Sequence, residues 1–346
     1  MKAAVLDGPK DLNLREIETP TPESGHALVR VKACGICFTD YAAYSGQREN
    51  YDPPVVVGHE FSGVVEEVGD EVQNAEVGDE VVASPTVHCG KCRSCRLGMP
   101  HYCENGIIIG GDGQPTFYNG AFAEYTLVPD TAIYQKPEEL SFEEAALTEP
   151  LGGSYKGMVE KSNIRVGEDV VIIGVGSMGN LLTQVASAAG AARLIAVDIS
   201  DYKLEYATKS GANYTINSNQ VNDLKSAVYD IIPEGPHIVF EAAGVLEADE
   251  QAMELARNGT RVNMFGTITP GEIPVSPRRV HFNEININAS YNVTPRAMLK
   301  SLNLMENGLV DTESLITHRV PLNDINQAME LMKDEERMKI MVEPWS

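Results

Sequence analysis

Apolar residues in the second half of the chain fall into short runs of strand length, separated by longer stretches with the pattern of helices. Val170 to Ile173 form one such run, and further strand patterns lie at 237–244 and 260–268. Strands that alternate with helices are typical of a parallel sheet covered on both faces. The pattern therefore predicts an α/β fold with a doubly wound parallel sheet in this half.

A glycine-rich turn follows the first of these runs directly. Gly174, Gly176 and Gly179 have GxGxxG spacing and open a helical stretch, after which a second strand pattern ends at Asp198. This order is typical of Rossmann folds that bind dinucleotides, because the glycines let the pyrophosphate approach the helix amino terminus and the acid binds the ribose hydroxyls. Since Asp198 would repel a 2′-phosphate, the pattern favours NAD over NADP.

The predicted cofactor site extends beyond the glycines and the acid. Its predicted members are Gly174, Gly176, Ser177, Met178, Gly179, Asp198, Lys203, Phe265 and Thr267. Phe265 and Thr267 end a strand pattern at the sheet edge where open α/β folds bind ligands, although packing also accounts for Phe265. Lys203 is equally well explained as a solvated helix residue.

The first half has valine-rich strand patterns interrupted by glycine, as in GHEFSGVVEEVGDEV at 58–72. Glycines at such positions indicate bends or bulges where backbones approach closely. Because 346 residues exceed the usual size of one hydrophobic core, we expect two domains.

Charge and apolar run length narrow the possible partners. Fifty acidic against 27 basic residues give a net charge of −23, which repels nucleic acid and anionic membrane surfaces. The amino-terminal residues lack a signal-peptide pattern, and the apolar runs are too short to cross a bilayer. We therefore expect a cytoplasmic protein that binds neither nucleic acid nor membrane.

Four of the six cysteines lie in one loop, CGKCRSCRLGMPHYC, at Cys89, Cys92, Cys95 and Cys103. Disulfides at this spacing would close strained rings, whereas four thiolates complete a tetrahedral zinc shell. The loop contains basic residues and no Asp or Glu, which offsets the thiolate charge. An iron–sulfur cluster or a redox pair is an alternative, but the spacing is not that of ferredoxins. We predict a structural zinc, with the chemistry elsewhere because a closed shell admits no substrate.

A second, mixed set of metal ligands is spread along the chain. Cys37, His59 and Glu149 offer sulfur, nitrogen and oxygen, which suit zinc with one open coordination position. Each also has an ordinary explanation: His59 beside Glu60 as a polar surface pair, and Glu149 as a solvated acid at the end of the helical stretch EEAALTEP. From the residues alone, a catalytic zinc site is one of several possibilities.

Taken together, these motifs resemble the zinc-dependent medium-chain dehydrogenases of the alcohol, polyol and threonine dehydrogenase family. GHEFSGVVEEVGDEV fits the zinc signature GHE-x-x-G-x-x-x-x-x-G-x-x-V, and the four-cysteine loop matches the structural zinc lobe. The resemblance implies a catalytic zinc bound by Cys37 and His59, by Glu149 where some members have a second cysteine, and directly or indirectly by Glu60.

The resemblance also implies a catalytic role for Thr39, as the hydroxyl that passes on the substrate's proton. Ala42 stands where a histidine is common in the family, so the onward path of that proton must differ.

The resemblance further implies an organisation and an activity. A GroES-like, β-rich catalytic domain would span 1–151, a Rossmann NAD-binding domain 152–291, and a return segment 292–346 would complete the catalytic domain. The implied activity is hydride transfer from a secondary alcohol or polyol to NAD, giving a ketone or aldehyde. The implied cofactors are NAD and one structural and one catalytic zinc ion, in a homodimer or homotetramer.

Several alternatives stay open at this point. The substrate could be a threonine-type amino alcohol, or an anionic alcohol bound through Lys156. A zinc-stapled NAD-binding regulator would be a non-enzyme alternative. Quinone and enoyl reductases without zinc share the two-domain architecture but normally lack both sets of metal ligands.

Overall fold

The computed structural model describes residues 1–47, 53–110, 116–266 and 270–346. These residues divide into two compact units. Unit 1 comprises Met1–Gly152, Asn292–Glu306 and Thr312–Ser346, and unit 2 comprises Gly153–Tyr291 and Asn307–Asp311. The domain boundaries at 151/152 and 291/292 stay a prediction; the compact units divide after Gly152 and Tyr291, and Asn307–Asp311 belongs to unit 2.

Unit 1 begins with a succession of strands. They are β1 (Lys2–Gly8), β2 (Asp11–Glu16), β3 (His26–Gly35), β4 (Val55–Val56), β5 (Glu60–Val68), β6 (Glu80–Ala83), β7 (Thr86–Val87), β8 (Ile107–Ile109), β9 (Thr116–Tyr118), β10 (Tyr125–Pro129) and β11 (Ile133–Gln135). Its first helices are α1 (Phe38–Ser45), α2 (Arg93–Arg96), α3 (Phe142–Ala146) and α4 (Thr148–Tyr155), the last of which ends in unit 2.

Unit 2 alternates strands with helices. The strands are β12 (Asp169–Ile173), β13 (Arg193–Asp198), β14 (Tyr214–Asn217), β15 (Ile238–Glu241), β16 (Arg261–Met264) and β17 (Asn286–Ala289). The helices are α5 (Ser177–Ala188), α6 (Asp201–Lys209), α7 (Leu224–Ile231), α8 (Leu246–Leu255) and α9 (Pro277–Asn283), preceded by a π-helix at Lys156–Lys161.

The return segment adds α10 (Pro295–Glu306), β18 (Ile316–Pro321), α11 (Ile325–Leu331) and β19 (Lys339–Glu343). Short 3₁₀ turns lie at Pro100–Tyr102, Asp130–Ala132, Ser218–Gln220, Glu313–Leu315 and Leu322–Asp324.

The main sheet of unit 1 has the order β11-β6-β5-β3-β19-β18, and β10 also pairs with β3. Long β3 is central, because β5, β10 and β19 all pair with it in antiparallel fashion. Strand β19, from the end of the chain, therefore lies beside β3, from its beginning, and β18 pairs with β19. The core of this unit includes the fully buried side chains of Phe61 and Phe122.

The sheet of unit 2 is parallel throughout and has the order β14-β13-β12-β15-β16-β17. All five residues of β12, DVVII, are buried, as expected for a central strand covered on both faces. Numbered from β12, this is the strand order 3-2-1-4-5-6 of dinucleotide-binding folds. The predicted doubly wound sheet is confirmed, and its crevice lies between the carboxyl ends of β12 and β15.

The described residues contain no helix with the length and apolar character needed to cross a membrane.

Candidate functional site

The four-cysteine loop folds around helix α2 and brings its sulfur atoms together. The ligand atoms of Cys89, Cys92, Cys95 and Cys103 all lie within 4.8 Å of one another. The Sγ atom of Cys92 is 3.5 Å from that of Cys95 and 3.9 Å from that of Cys103. Four sulfurs around one zinc ion lie about 3.8 Å apart, whereas a disulfide requires about 2 Å. The arrangement therefore fits a tetrahedral zinc ion.

Backbone hydrogen bonds lower the pKa values of these thiols, and burial raises them. Backbone N–H groups of Lys91 and Cys92 lower the pKa of the Cys89 thiol to about 6. Burial, followed by the neighbouring Cys92 and Cys103 thiols, raises the pKa of Cys95 to about 12. Thiols held this close cannot all ionise without a cation, so the donor set fits a metal.

A second cluster lies at one end of β3 and β5. The ligand atoms of Cys37, His59 and Glu60 lie within 4.8 Å of one another. Cys37 is the N-cap of α1, and Glu60 is the first residue of β5. A thiol, an imidazole and a carboxylate that converge in this way form a donor set that suits zinc.

Asp40 contacts the segments that carry Cys37 and His59. Its fully buried carboxylate accepts the N–H of Cys37 at 2.9 Å and the N–H of Gly58 at 3.1 Å. The same carboxylate lies 3.3 Å from Nδ1 of His59. Nδ1 of His59 thus faces the Asp40 carboxylate without forming a hydrogen bond to it, and Nε2 remains for a metal. Burial is the largest single influence and lowers the pKa of His59, but Asp40 and Cys37 together outweigh it and raise this pKa well above its ordinary value.

Glu60 is paired with a lysine from the far end of the sequence. Nζ of Lys339, the first residue of β19, donates to the two carboxylate oxygens of Glu60 at 2.8 and 2.6 Å and to the carbonyl of Ile36 at 3.2 Å. Both charged side chains are almost fully buried. Burial is the largest single influence and lowers the pKa of Lys339, but Glu60, Cys37 and Glu149 together outweigh it and raise the pKa of this lysine. The pair fixes Glu60 beside Cys37 and His59.

Glu149 lies close to this cluster but outside it. Its pKa is raised to about 7, mainly by burial, and responds to the charges of His59, Glu60 and Lys339. Its carboxylate is not among the ligand atoms that converge within 4.8 Å in the described chain. The predicted helix end at this position is wrong, because α3 ends at Ala146 and Glu149 lies in the first turn of α4.

The predicted proton-transfer residue Thr39 lies in the first turn of α1, two residues after Cys37. Its Oγ1 is buried, and so is the side chain of Ala42 one turn further along the helix. Helix α1 thus places Thr39 beside the metal-ligand cluster without a histidine at position 42.

The glycine-rich turn in unit 2 depends on close backbone contacts. Gly174 has φ +86°, and a Cβ atom there would lie 2.4 Å from the Ala243 nitrogen. A Cβ atom on Gly179 would lie 2.0 Å from the Gly174 carbonyl oxygen. Asp198, at the end of β13, accepts the N–H of Val175 at 2.9 Å through Oδ2. The predicted acid is thus tied directly to the turn.

The other predicted cofactor residues lie on neighbouring elements of unit 2. Ser177 and Met178 begin α5, and Lys203 lies in the first turns of α6. Phe265 follows β16, and its ring packs edge-on against Phe240 at 6.1 Å. Thr267 lies outside the described residues.

Lys156, the residue predicted to bind an anionic substrate group, is the first residue of the π-helix. Its side chain is fully buried, and Nζ donates to the carbonyl of Tyr291 at 2.5 Å. Burial lowers its pKa to about 8. The hypothesis that Lys156 binds an anionic substrate group stays a prediction, and the hydrogen bond from this ammonium to a backbone carbonyl does not favour it.

Sequence reasoning missed two residues that contact the Cys37–His59–Glu60 cluster, Asp40 and Lys339. Asp40 could have been found, because an acid three residues after a helix N-cap forms a capping box, as Asp40 does with Cys37. Lys339 gave no local signal, since it is 279 residues from Glu60.

Comparisons with known proteins agree with this geometry. Residues 23–138 match the model of the alcohol dehydrogenase GroES-like domain, and residues 174–307 match that of the zinc-binding dehydrogenases. L-Threonine 3-dehydrogenase of Bacillus velezensis is 34% identical, over 96% of this chain and 95% of the relative. Sorbitol dehydrogenase of Bacillus subtilis is 30% identical, over 99% of this chain and 97% of the relative. A Sinorhizobium meliloti protein described as a zinc-binding dehydrogenase and solved with NADP has a TM-score of 0.91 at 30% identity, over 99% of both chains.

Proposed function

The chain belongs to the zinc-dependent medium-chain alcohol dehydrogenase family, and from this premise we propose that it oxidises a secondary alcohol or polyol-type substrate with NAD as the hydride acceptor. Membership confirms the predicted GroES-like and Rossmann fold class, the oxidoreductase activity and the requirement for zinc and a nicotinamide cofactor. The product is a ketone, or an aldehyde if the hydroxyl is primary.

The observation that carries this proposal is the convergence of Cys37, His59 and Glu60 within 4.8 Å. When bound there, zinc supplies a Lewis acid that favours loss of the substrate hydroxyl proton, while NAD accepts the hydride. Asp40 orients His59 so that Nε2 faces the ion. Thr39 receives the hydroxyl proton and passes it on without a histidine at Ala42.

Glu149 completes the set of ligands in this proposal. The support is electrostatic: the pKa of Glu149 responds to His59 and Lys339, so its carboxylate lies within reach of the same charges as the cluster. A cation bound by Cys37 and His59 favours the ionised form of Glu149, which burial alone disfavours.

NAD rather than NADP is the proposed cofactor, although one structural relative was solved with NADP. Asp198 supports this choice, because its carboxylate is fixed by the N–H groups of Val175 and Ser200 and cannot turn away from the ribose. A fixed negative charge at this position disfavours a 2′-phosphate. Replacement of Asp198 by alanine should narrow the difference between the KM values for NAD and NADP.

L-Threonine is the second candidate substrate, and it is favoured by the identity with L-threonine 3-dehydrogenase. Threonine and sorbitol both carry secondary hydroxyl groups. They differ in the amino and carboxylate groups that only threonine presents, so a comparison of the two separates the amino-alcohol class from the polyol class.

A homodimer or homotetramer and a cytoplasmic location are part of the proposal. Strand β17 supports self-association, since it forms the edge of the sheet in unit 2 and Ile287 on it is exposed. The zinc-binding thiols favour a reducing compartment. The net charge of −23 makes nucleic acid and anionic membranes unfavourable partners.

The test combines metal analysis with a substrate panel. We expect the purified protein to contain about two zinc ions per chain and to form NADH with sorbitol-like polyols or with L-threonine. Cys37→Ala should retain the structural zinc, lose the other ion and form no NADH. A wild-type protein without zinc, or one that forms NADH with no alcohol of the panel, would contradict the proposal.

A further inference from the structure

Glu241 is a buried acid in unit 2 that the sequence motifs do not include. It is the last residue of β15, and its side chain is fully buried. In the sheet it pairs with Ile173 at the end of β12 on one side and with Met264 at the end of β16 on the other. Glu241 therefore lies at the switch point of the strand order, where open α/β sheets bind their ligands.

The Glu241 carboxylate accepts hydrogen bonds from two different loops. Oε1 accepts the N–H groups of Ala243 at 2.7 Å and Gly244 at 2.6 Å, both in the loop after β15. Oε2 accepts the N–H of Gly266, after β16, at 3.2 Å. The backbone carbonyl of Glu241 also accepts the N–H groups of Phe265 and Gly266 at 2.9 Å. One residue thus links the ends of two strands.

The loop after β15 touches both the glycine-rich turn and Gly266. A Cβ atom on Gly174 would lie 2.4 Å from the Ala243 nitrogen, and a Cβ atom on Gly266 would lie 2.7 Å from the carbonyl carbon of Ala242. The backbone of the loop after β15 therefore packs against the turn after β12 on one side and against residue 266 on the other. Such contacts transmit small displacements, since there are no flexible side chains between them.

We propose that Glu241 is a positioning residue for the nicotinamide cofactor, because it sets the spacing between the glycine-rich turn and the loops that follow β15 and β16. The inference deepens the proposed NAD-linked function and rests on it. Burial raises the pKa of Glu241, while the N–H groups of Gly244, Ala243 and Gly266 favour its ionised form. Glutamine at this position can still accept two of these hydrogen bonds, but its NH₂ group would meet the N–H of Gly266.

The test measures NADH binding directly by fluorescence titration, together with amide hydrogen exchange and zinc content. Glu241→Gln should weaken NADH binding about tenfold, the effect of one lost hydrogen bond with a buried group left unpaired. Exchange at the amide of Gly266 should become faster, with zinc content unchanged. The KM for the alcohol at saturating NAD should stay the same while the KM for NAD rises.

Asp169→Asn is the matched control. Asp169 is equally buried, at the amino end of β12, and its carboxylate accepts two hydrogen bonds from Arg193 at 2.7 and 2.8 Å. This variant should lower the thermal stability of unit 2 without changing NADH affinity. If Glu241 had a purely structural role, Glu241→Gln and Asp169→Asn would have similar effects on thermal stability and on NADH affinity.

Gly266→Ala provides a second perturbation that leaves the carboxylate in place. Its methyl group would press on the backbone of residues 242–244, and it should weaken NADH binding as Glu241→Gln does. Affinities within twofold of wild type for both variants, or an equal loss in Asp169→Asn, would overturn the inference. Absence of NADH binding by the wild-type protein would instead refute the proposed function.

Discussion

Replacing Lys339 by methionine is expected to destabilise unit 1 by about 3 to 5 kcal/mol, the usual cost of leaving one member of a buried ion pair without its partner. Methionine has about the same length as the lysine stem, so the variant changes the charge more than the packing. The side chains of Lys339 and Glu60 are only 5% and 1% exposed, so water cannot replace the lost ammonium.

The magnitude follows from two opposing terms. At N···O distances of 2.6 and 2.8 Å, the attraction between unit charges is about 6 kcal/mol for an effective dielectric constant of about 20. Removing each ion from water costs several kcal/mol, so the intact pair contributes little net stability. The single variant retains the desolvation cost of Glu60 and loses the attraction.

Urea unfolding monitored by tryptophan fluorescence measures this effect. Trp345 is the single tryptophan of the chain, and its indole donates to the carbonyl of Val31 at 2.9 Å, within unit 1. Its emission therefore reports the unit that contains Lys339. The metal-free protein should be used first, because zinc bound beside Glu60 would partly replace the missing positive charge.

The double variant Lys339→Met/Glu60→Gln is the control. It removes both charges, so it should recover most of the stability lost in the single variant, with a coupling free energy of several kcal/mol. Lys339→Arg should remain close to wild type because it keeps the charge. A loss below about 1 kcal/mol in the single variant, or an equal loss in the double variant, would refute the electrostatic reasoning.

Three further outcomes are expected. Cys92→Ser should lower the zinc content by about one ion per chain and lower the Tm while retaining the zinc at Cys37, as measured by atomic emission; unchanged zinc content would argue against the four-thiolate site. In metal-free protein, the pKa of Glu149 rises from 4.5 to about 7 on folding, so its contribution to stability is complete below pH 4.5 and is lost, by about 3 kcal/mol, as the pH rises through 7. Glu149→Gln should remove this pH dependence of the free energy of unfolding, as measured by urea unfolding at several pH values. If the free energy of unfolding changes with pH in the same way for the wild type and the variant, Glu149 is not its source. Thr39→Ala should lower kcat by a factor of about 10² or more while Thr39→Ser stays near wild type, and steady-state kinetics with equal activity for Ala and Ser would exclude a role for the hydroxyl.

The parts of the molecule that could be predicted from sequence are those set by local spacing. The cysteine loop and the turn at Gly174 each lie within one short stretch, so the residue intervals already fix the geometry. Residue spacing could not place Cys37 and His59 in one site, because no local pattern brings two separate segments together. That prediction depended on the resemblance to a known family. Their convergence depends on the pairing of β3 with β5.

Glu149 was misplaced for a physical reason. A proline usually ends a helix, so EEAALTEP suggested that the helix stops there. In the structure, Pro150 lies in the first turn of α4, where its missing N–H has no helical partner to lose. The proline thus lies at the start of a helix, and the preceding acid is close enough to His59 to respond to its charge.

The pairing of Lys339 with Glu60 has a consequence for biosynthesis. Lys339 also bonds to the carbonyl of Ile36, 303 residues earlier in the chain. A ribosome that adds about 5 to 20 residues per second needs roughly 15 to 60 s to cover that interval. Throughout this time the carboxyl end of β3 lacks β19, and over the last 279 residues of the interval the Glu60 carboxylate lacks its counter-ion. Insertion of the catalytic metal should therefore be among the last steps of maturation, and chains released before β19 is made should be recognised by quality control as incomplete.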